Sequence, residues 1–202
     1  MFKELLKNKK FLKIIDEYLK KLGILDIILI GSIIRGKENP GDIDLLVVYA
    51  PKTKDTTGIS YKIKKELEKI NKNFHLIPIE FDKIFSHEFL AKESLLSEGF
   101  SLRQKKFISD ALGYTNFILF NYSLKNLNKS QRMQFYYSLN GRAKRQGILE
   151  KNKCYKFSDR IILSPIESSE TIKSFLERWN IKYVEFPIII QKRIIKYVLK
   201  KV

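Results

Sequence analysis

The residues able to do chemistry are gathered in one segment, Leu29-Ile-Gly-Ser-Ile-Ile-Arg-Gly-Lys-Glu-Asn-Pro-Gly-Asp-Ile-Asp-Leu-Leu-Val-Val48. Asp42 and Asp44 flank Ile43. On a strand, residues i and i+2 point to the same side, so the two carboxylates converge while Ile43 and Leu45 face a core. Converging carboxylates are hard oxygen donors that suit Mg²⁺, which one or two carboxylates hold together with substrate phosphates and water. Such a site serves in-line attack on a nucleotide phosphorus, with the metal clamping the attacking and leaving oxygens. Upstream, Gly31-Ser32 closes an apolar run, where the missing side chain lets backbone and the Ser32 hydroxyl approach a phosphate.

An apolar strand, Gly-Ser, a nine-residue spacer and Asp-apolar-Asp together resemble the signature of the nucleotidyltransferase superfamily of DNA polymerase β, in its minimal archaeal and bacterial form. The resemblance covers about residues 1–100. It implies Mg²⁺-dependent transfer of a nucleoside monophosphate from an NTP, ATP among the candidates, with release of pyrophosphate. Carried onto this chain, it makes Asp42 and Asp44 the catalytic metal ligands and gives Gly31 and Ser32 the triphosphate. Arg35-Gly36 matches the Arg-Gly of small members, which places Arg35 with the nucleotide. A third carboxylate is usual on the next strand, which here reads Asn73-Phe-His-Leu-Ile-Pro-Ile-Glu-Phe81. No aspartate stands in its middle, so either His75 takes that place or Glu80 reaches in from the strand's end.

These groups need elements to hold them. Ile24–Ile30 is a nearly continuous β-branched run, the pattern of a buried strand, and Ile43–Tyr49 is a second. Turn formers over 35–41 join them. Ile63, Leu67 and Ile70 fall at helical spacing over 61–70, and 74–81 is a third strand that Pro78 places at an edge. With an amphipathic helix over 1–22, on Leu5, Leu12, Ile15, Leu19 and Leu22, and another over 84–96, the first 110 residues read as a mixed α/β, α+β-like unit: a small sheet with flanking helices. Residues 111–202 read as a basic α/β region. Its strands are 117–122, 160–163 and 183–190, its helices 130–139, capped by Ser130, and one capped by Ser168 or Ser169 that carries Ile172, Phe175, Leu176 and Trp179. A basic helical tail follows Gln191.

Composition excludes the collagenous, low-complexity and disordered classes, with 44% hydrophobic and 30% charged residues over 202 positions. A single cysteine, Cys154, forms no internal disulfide and fits a reducing cytoplasm. Cys154 and His87 read as structural. No apolar stretch reaches the roughly 18 residues of a membrane span. The net charge of +17 calls for acidic partners. Its distribution is uneven: 1–100 holds 18 basic and 15 acidic residues, 101–202 holds 21 and 7. RNA is therefore the expected partner beside the NTP, met by Arg103, Lys105, Lys106, Arg132, Arg142, Lys144 and Arg145, with aromatics interleaved at 135–137. The expected function is nucleotidyl transfer onto an RNA, such as a tRNA, or another macromolecule. The alternatives are a non-catalytic RNA- or ribosome-binding protein on the same fold, and a protein adenylyltransferase of the antitoxin type.

Overall fold

The computed structural model describes residues 2–70, 73–143 and 145–199, without the Val198 side chain. The chain forms two units, Met1–Leu112 and Gly113–Val202. Both are mixed α/β.

The first unit runs α1 (Phe2–Leu5), α2 (Lys9–Leu19), β1 (Ile24–Ile30), β2 (Ile43–Tyr49), α3 (Thr56–Glu68), β3 (Phe74–Glu80), a 3₁₀ turn (Phe81–Phe85), α4 (Lys92–Glu98), β4 (Phe100–Ser101), β5 (Lys106–Phe107) and α5 (Ile108–Ala111). Its sheet has the order β3-β2-β1-β4-β5. β2 lies antiparallel to β1 and parallel to β3, and a parallel pair needs the crossover that α3 supplies. β3 is an edge strand, as Pro78 requires.

β2 is covered on both faces, which is why it reads as one apolar run. Leu46 and Val48 pack with Ile28, Ile30, Ile84, Phe89 and Leu95. Alternation sends Ile43, Leu45 and Val47 to the other face, where Phe11 of α2 stacks on Phe74 with centroids 5.9 Å apart. Asp44 shares the face of Leu46 and Val48.

Two helices differ from expectation. The stretch over 1–22 is two helices because the Asn8 side chain accepts from the Lys10 and Phe11 N–H groups and starts a second one. That helix stops at Leu19, so Leu22 is fully exposed rather than part of the apolar face. Over 84–96 the buried positions Ile84, Phe89 and Leu95 are too sparse for one continuous stripe, and only α4 is α-helical.

The second unit contains β6 (Tyr114–Ser123), α6 (Lys129–Asn140), β7 (Gly141–Arg142), β8 (Arg145–Gln146), α7 (Ile148–Lys151), β9 (Tyr155–Ser158), β10 (Ile161–Pro165), a 3₁₀ turn (Ile166–Ser168), α8 (Ser169–Arg178), β11 (Lys182–Gln191) and α9 (Lys192–Leu199). The main sheet, ordered β11-β6-β10-β9, is antiparallel throughout. Phe135 of α6 packs against Tyr122, Phe175 and Trp179 at 5.5–5.7 Å. The cap of α6 is Asn128, not Ser130. Its side chain accepts the Gln131 N–H while the Gln131 side chain accepts the Asn128 N–H, a reciprocal pair that Ser130 would not form.

Candidate metal and nucleotide site

The paired carboxylates lie at the C-terminal end of β1 and the N-terminal ends of β2 and β3. Gly31 leaves β1 at φ +85°, in the left-handed region. The chain then closes a compact turn: Ile34 N–H donates to the Gly31 carbonyl at 3.1 Å and Lys37 N–H to that of Ser32 at 3.2 Å. Ser32 is half-buried in this turn. Antiparallel register sets Asp44 opposite Ile30, and parallel register sets it beside His75.

Asp42 is exposed just ahead of β2, Asp44 is half-buried and His75 is exposed. One ligand atom from each lies within 4.8 Å of the other two. His75 Nδ1 and Asp44 Oδ1 are 3.0 Å apart. This hydrogen bond holds the imidazole at the carboxylate. Two carboxylates and an imidazole are a donor set that fits a divalent cation.

Gly31 serves the carboxylate directly. A Cβ there would sit 2.6 Å from Asp44 Oδ2, so any other residue would displace that carboxylate oxygen as well as strain the backbone at φ +85°.

Sequence reasoning missed Glu98. It is the last residue of α4 and 7% exposed. Its carboxylate accepts Arg35 Nη1 at 2.9 and 3.1 Å and also the Gly31 N–H. Burial pushes its pKa up, Asp44 adds to that effect, and Arg35 and the Gly31 N–H oppose it. Glu98 thus ties α4 to the turn and fastens Arg35, whose side chain is 38% exposed. Only its position at the close of a helix with buried Leu95 hinted at this, since its partners lie 63 and more residues away.

Of the two candidates for a third ligand, His75 is the one at the carboxylates. Glu80 stands at the opposite end of β3, beside Tyr49, where it accepts the Lys52 N–H at 3.4 Å and lies 4.0 Å from Lys83 Nζ. Five residues of strand, about 16 Å, separate it from His75.

The expected RNA contacts divide into two groups. Arg103, an exposed residue, is bonded within the first unit: Nε donates to Leu25 O at 2.6 Å, and Nη2 to Leu19 O at 2.7 Å and Ile24 O at 2.9 Å. A guanidinium so occupied fastens α2 to β1. Beside it, Asp26 accepts from Ser101 Oγ and from the Ile27 and Arg103 N–H groups, and burial raises its pKa against these donors. Arg132 Nε likewise donates to Leu124 and Leu127 carbonyls at 3.2 and 2.9 Å. Lys105 and Lys106 are exposed at the β4–β5 turn, and Arg142 and Arg145 face each other across the β7–β8 hairpin. Lys144 lies outside the described residues. Burial pushes the Cys154 thiol up to about 11, so it is protonated at neutral pH and no nucleophile.

A mixed sheet that sets two carboxylates beside a Gly-Ser turn is the arrangement expected of a nucleotidyltransferase-type fold. The family model described as nucleotidyltransferase domain matches residues 9–99, and that segment is a nucleotidyltransferase domain, in agreement with the resemblance to the DNA polymerase β superfamily. It spans Gly31, Ser32, Arg35, Asp42, Asp44, His75 and Glu98. No curated protein and no solved structure matches the chain. Among the described residues, no helix is long and apolar enough to cross a membrane.

Proposed function

We propose that this protein transfers a nucleoside monophosphate from an NTP to a macromolecular acceptor, an RNA such as a tRNA before any other. The supporting observation is the convergence of Asp42, Asp44 and His75 beside the Gly31-Ser32 turn inside a nucleotidyltransferase domain. Asp42 and Asp44 hold a divalent cation, with Mg²⁺ the expected ion, and His75 is its third protein ligand. When bound, the cation neutralises phosphate charge and sets the in-line geometry. Gly31 and Ser32 offer backbone and hydroxyl to the triphosphate, and Arg35, fastened by Glu98, adds positive charge at the turn. An acceptor hydroxyl then bonds to the α-phosphorus and gives up its proton to water as the bond to pyrophosphate breaks. The 21 basic against 7 acidic residues of 101–202 favour a nucleic-acid acceptor.

The test incubates the purified protein with Mg²⁺, each NTP radiolabelled at its α-phosphate and total RNA of the host, beside the Asp42→Ala/Asp44→Ala variant. Label entering RNA in the wild type alone is the expected result. Label entering a protein would replace RNA with a protein acceptor, and RNA binding without label would replace the enzyme with a binding protein on this fold.

A further inference from the structure

Helix α6 of the second unit carries two adjacent surface tyrosines. The Tyr136 and Tyr137 rings meet edge to face, with centroids 6.1 Å apart. Each has a cation from a flanking element over it: Lys156 of β9 lies 5.6 Å from the Tyr136 ring, and the Arg142 guanidinium of β7 lies 4.7 Å from that of Tyr137. Tyr136 is 50% exposed, whereas its neighbour Phe135 is 1% exposed and belongs to the core.

The two sides of the helix differ in chemistry. Beside Tyr136 is a hollow of about 600 Å³ with an apolar floor, formed by Leu124, Met133, Phe135 and Leu139, and with Lys129, Arg132 and Lys156 at its walls. Asp159, fully exposed, meets Lys156 at 3.4 Å there. Beside Tyr137 is a groove of about 950 Å³ lined by Gln134, Ser138, Arg142, Arg145, Gln146 and Lys151, with no carboxylate.

The hairpin that carries the two arginines is built on close backbone contact. Gly141 has φ +94°, and a Cβ on it would lie 2.5 Å from Arg145 O; a Cβ on Gly147 would lie 2.4 Å from Gly141 N. Cross-strand register sets Arg142 opposite Arg145, so both side chains leave from the same side. Like charges placed opposite each other repel, and among the described residues neither guanidinium has a carboxylate partner. A bridging anion relieves that repulsion.

We propose that α6 and the β7–β8 hairpin form a binding surface for single-stranded nucleic acid. The paired guanidiniums of Arg142 and Arg145 take a phosphodiester. The Arg142 plane on Tyr137 is a platform for one base, and the hollow beside Tyr136 receives a neighbouring one. An unpaired strand is required, because a duplex keeps its bases stacked inside and presents nothing to an apolar hollow. For its biological role this inference rests on the RNA acceptor proposed above, but it needs neither nucleotide nor metal and is read by binding alone.

The experiment measures fluorescence anisotropy of a labelled single-stranded RNA of about twelve nucleotides over a salt series. Arg142→Ala/Arg145→Ala is expected to weaken binding tenfold or more and to lower the slope of log affinity against log salt by about 0.7, the loss of one neutralised phosphate on a single strand. Tyr136→Ala is expected to weaken it about fivefold or more, with Tyr136→Phe binding as wild type. Lys7→Ala/Lys9→Ala, which removes two exposed cations of the first unit, is expected to bind as wild type. If transfer fails while these binding results hold, only the enzymatic reading falls. Wild-type affinity and slope in the double arginine variant would overturn the inference, as would a duplex or vesicles of anionic lipid binding as tightly as the single strand.

Discussion

Replacing Gly31 by alanine separates two roles of the turn after β1, and both have a magnitude. The residue sits at φ +85°, where a non-glycine residue costs about 1–2 kcal/mol. The new Cβ would also lie 2.6 Å from Asp44 Oδ2, against ordinary contact from 3.4 Å, so the carboxylate must retreat by about 0.8 Å. Metal–ligand distances tolerate about 0.2 Å, so a displacement four times larger costs the ligand. Disturbing even the outer shell of a metal site lowers affinity about 10–100-fold, and a displaced ligand should lose at least as much. Gly113 is the control: it has φ +83° and open space where a Cβ would go. Both alanine variants should therefore lose about 1–2 kcal/mol in urea denaturation. Only Gly31→Ala should lose divalent-cation affinity, tenfold or more by isothermal titration calorimetry with Mn²⁺. Wild-type affinity in Gly31→Ala, or an equal loss in Gly113→Ala, would refute the claim that this glycine exists to admit Asp44.

Three further outcomes are expected. If His75 is a nitrogen donor, as proposed, the site should bind Mn²⁺ more tightly than Mg²⁺, and His75→Ala should narrow that gap; an unchanged ratio would show that the imidazole is no ligand. Arg103→Ala removes three charge-assisted bonds to carbonyls and should cost about 1.5–3 kcal/mol of stability while leaving RNA affinity intact; the reverse pattern would return Arg103 to phosphate binding. Burial raises the Asp26 pKa, so the folded chain holds that proton more tightly than the unfolded one. Its contribution to stability is then full below the ordinary aspartate value of about 4 and is lost as pH rises through the folded value. Asp26→Asn should remove that decline from a stability curve measured between about pH 4 and 7, and an unaltered slope would refute this.

Local physics made much of the first unit legible. β1 and β2 were readable to the residue because burial on both faces turns a strand into a nearly continuous apolar run, and Gly31 follows the first run and Asp42 precedes the second. The i, i+2 relation of Asp42 and Asp44 follows from strand periodicity alone. The caps at Asn8 and Asn128 were equally local; Asn128 and Gln131 stand three apart at the start of α6, a signal that the more obvious Ser130 masked.

Other features depend on register and on contacts between residues distant in sequence. Whether His75 or Glu80 faces the carboxylates is decided by how β3 lines up with β2, and the strand by itself presents both. Glu98 reaches Arg35 across 63 residues, and Arg103 reaches Leu19 across 84, so neither partner leaves a periodic trace. Counting charge treated all Lys and Arg residues alike. Folding sorted them, because carbonyls left over at α2, β1 and the β6–α6 loop need donors, and Arg103 and Arg132 supply these, while Arg142 and Arg145 stand opposite each other on a hairpin with no carboxylate partner among the described residues. The sequence by itself thus determined the nucleotidyltransferase domain and its paired carboxylates, since both are written in short-range periodicity; only the tertiary structure decided which of His75 and Glu80 stands at the carboxylates, the fastening of the turn and which arginines are bonded to carbonyls, since these rest on long-range register and hydrogen-bond satisfaction.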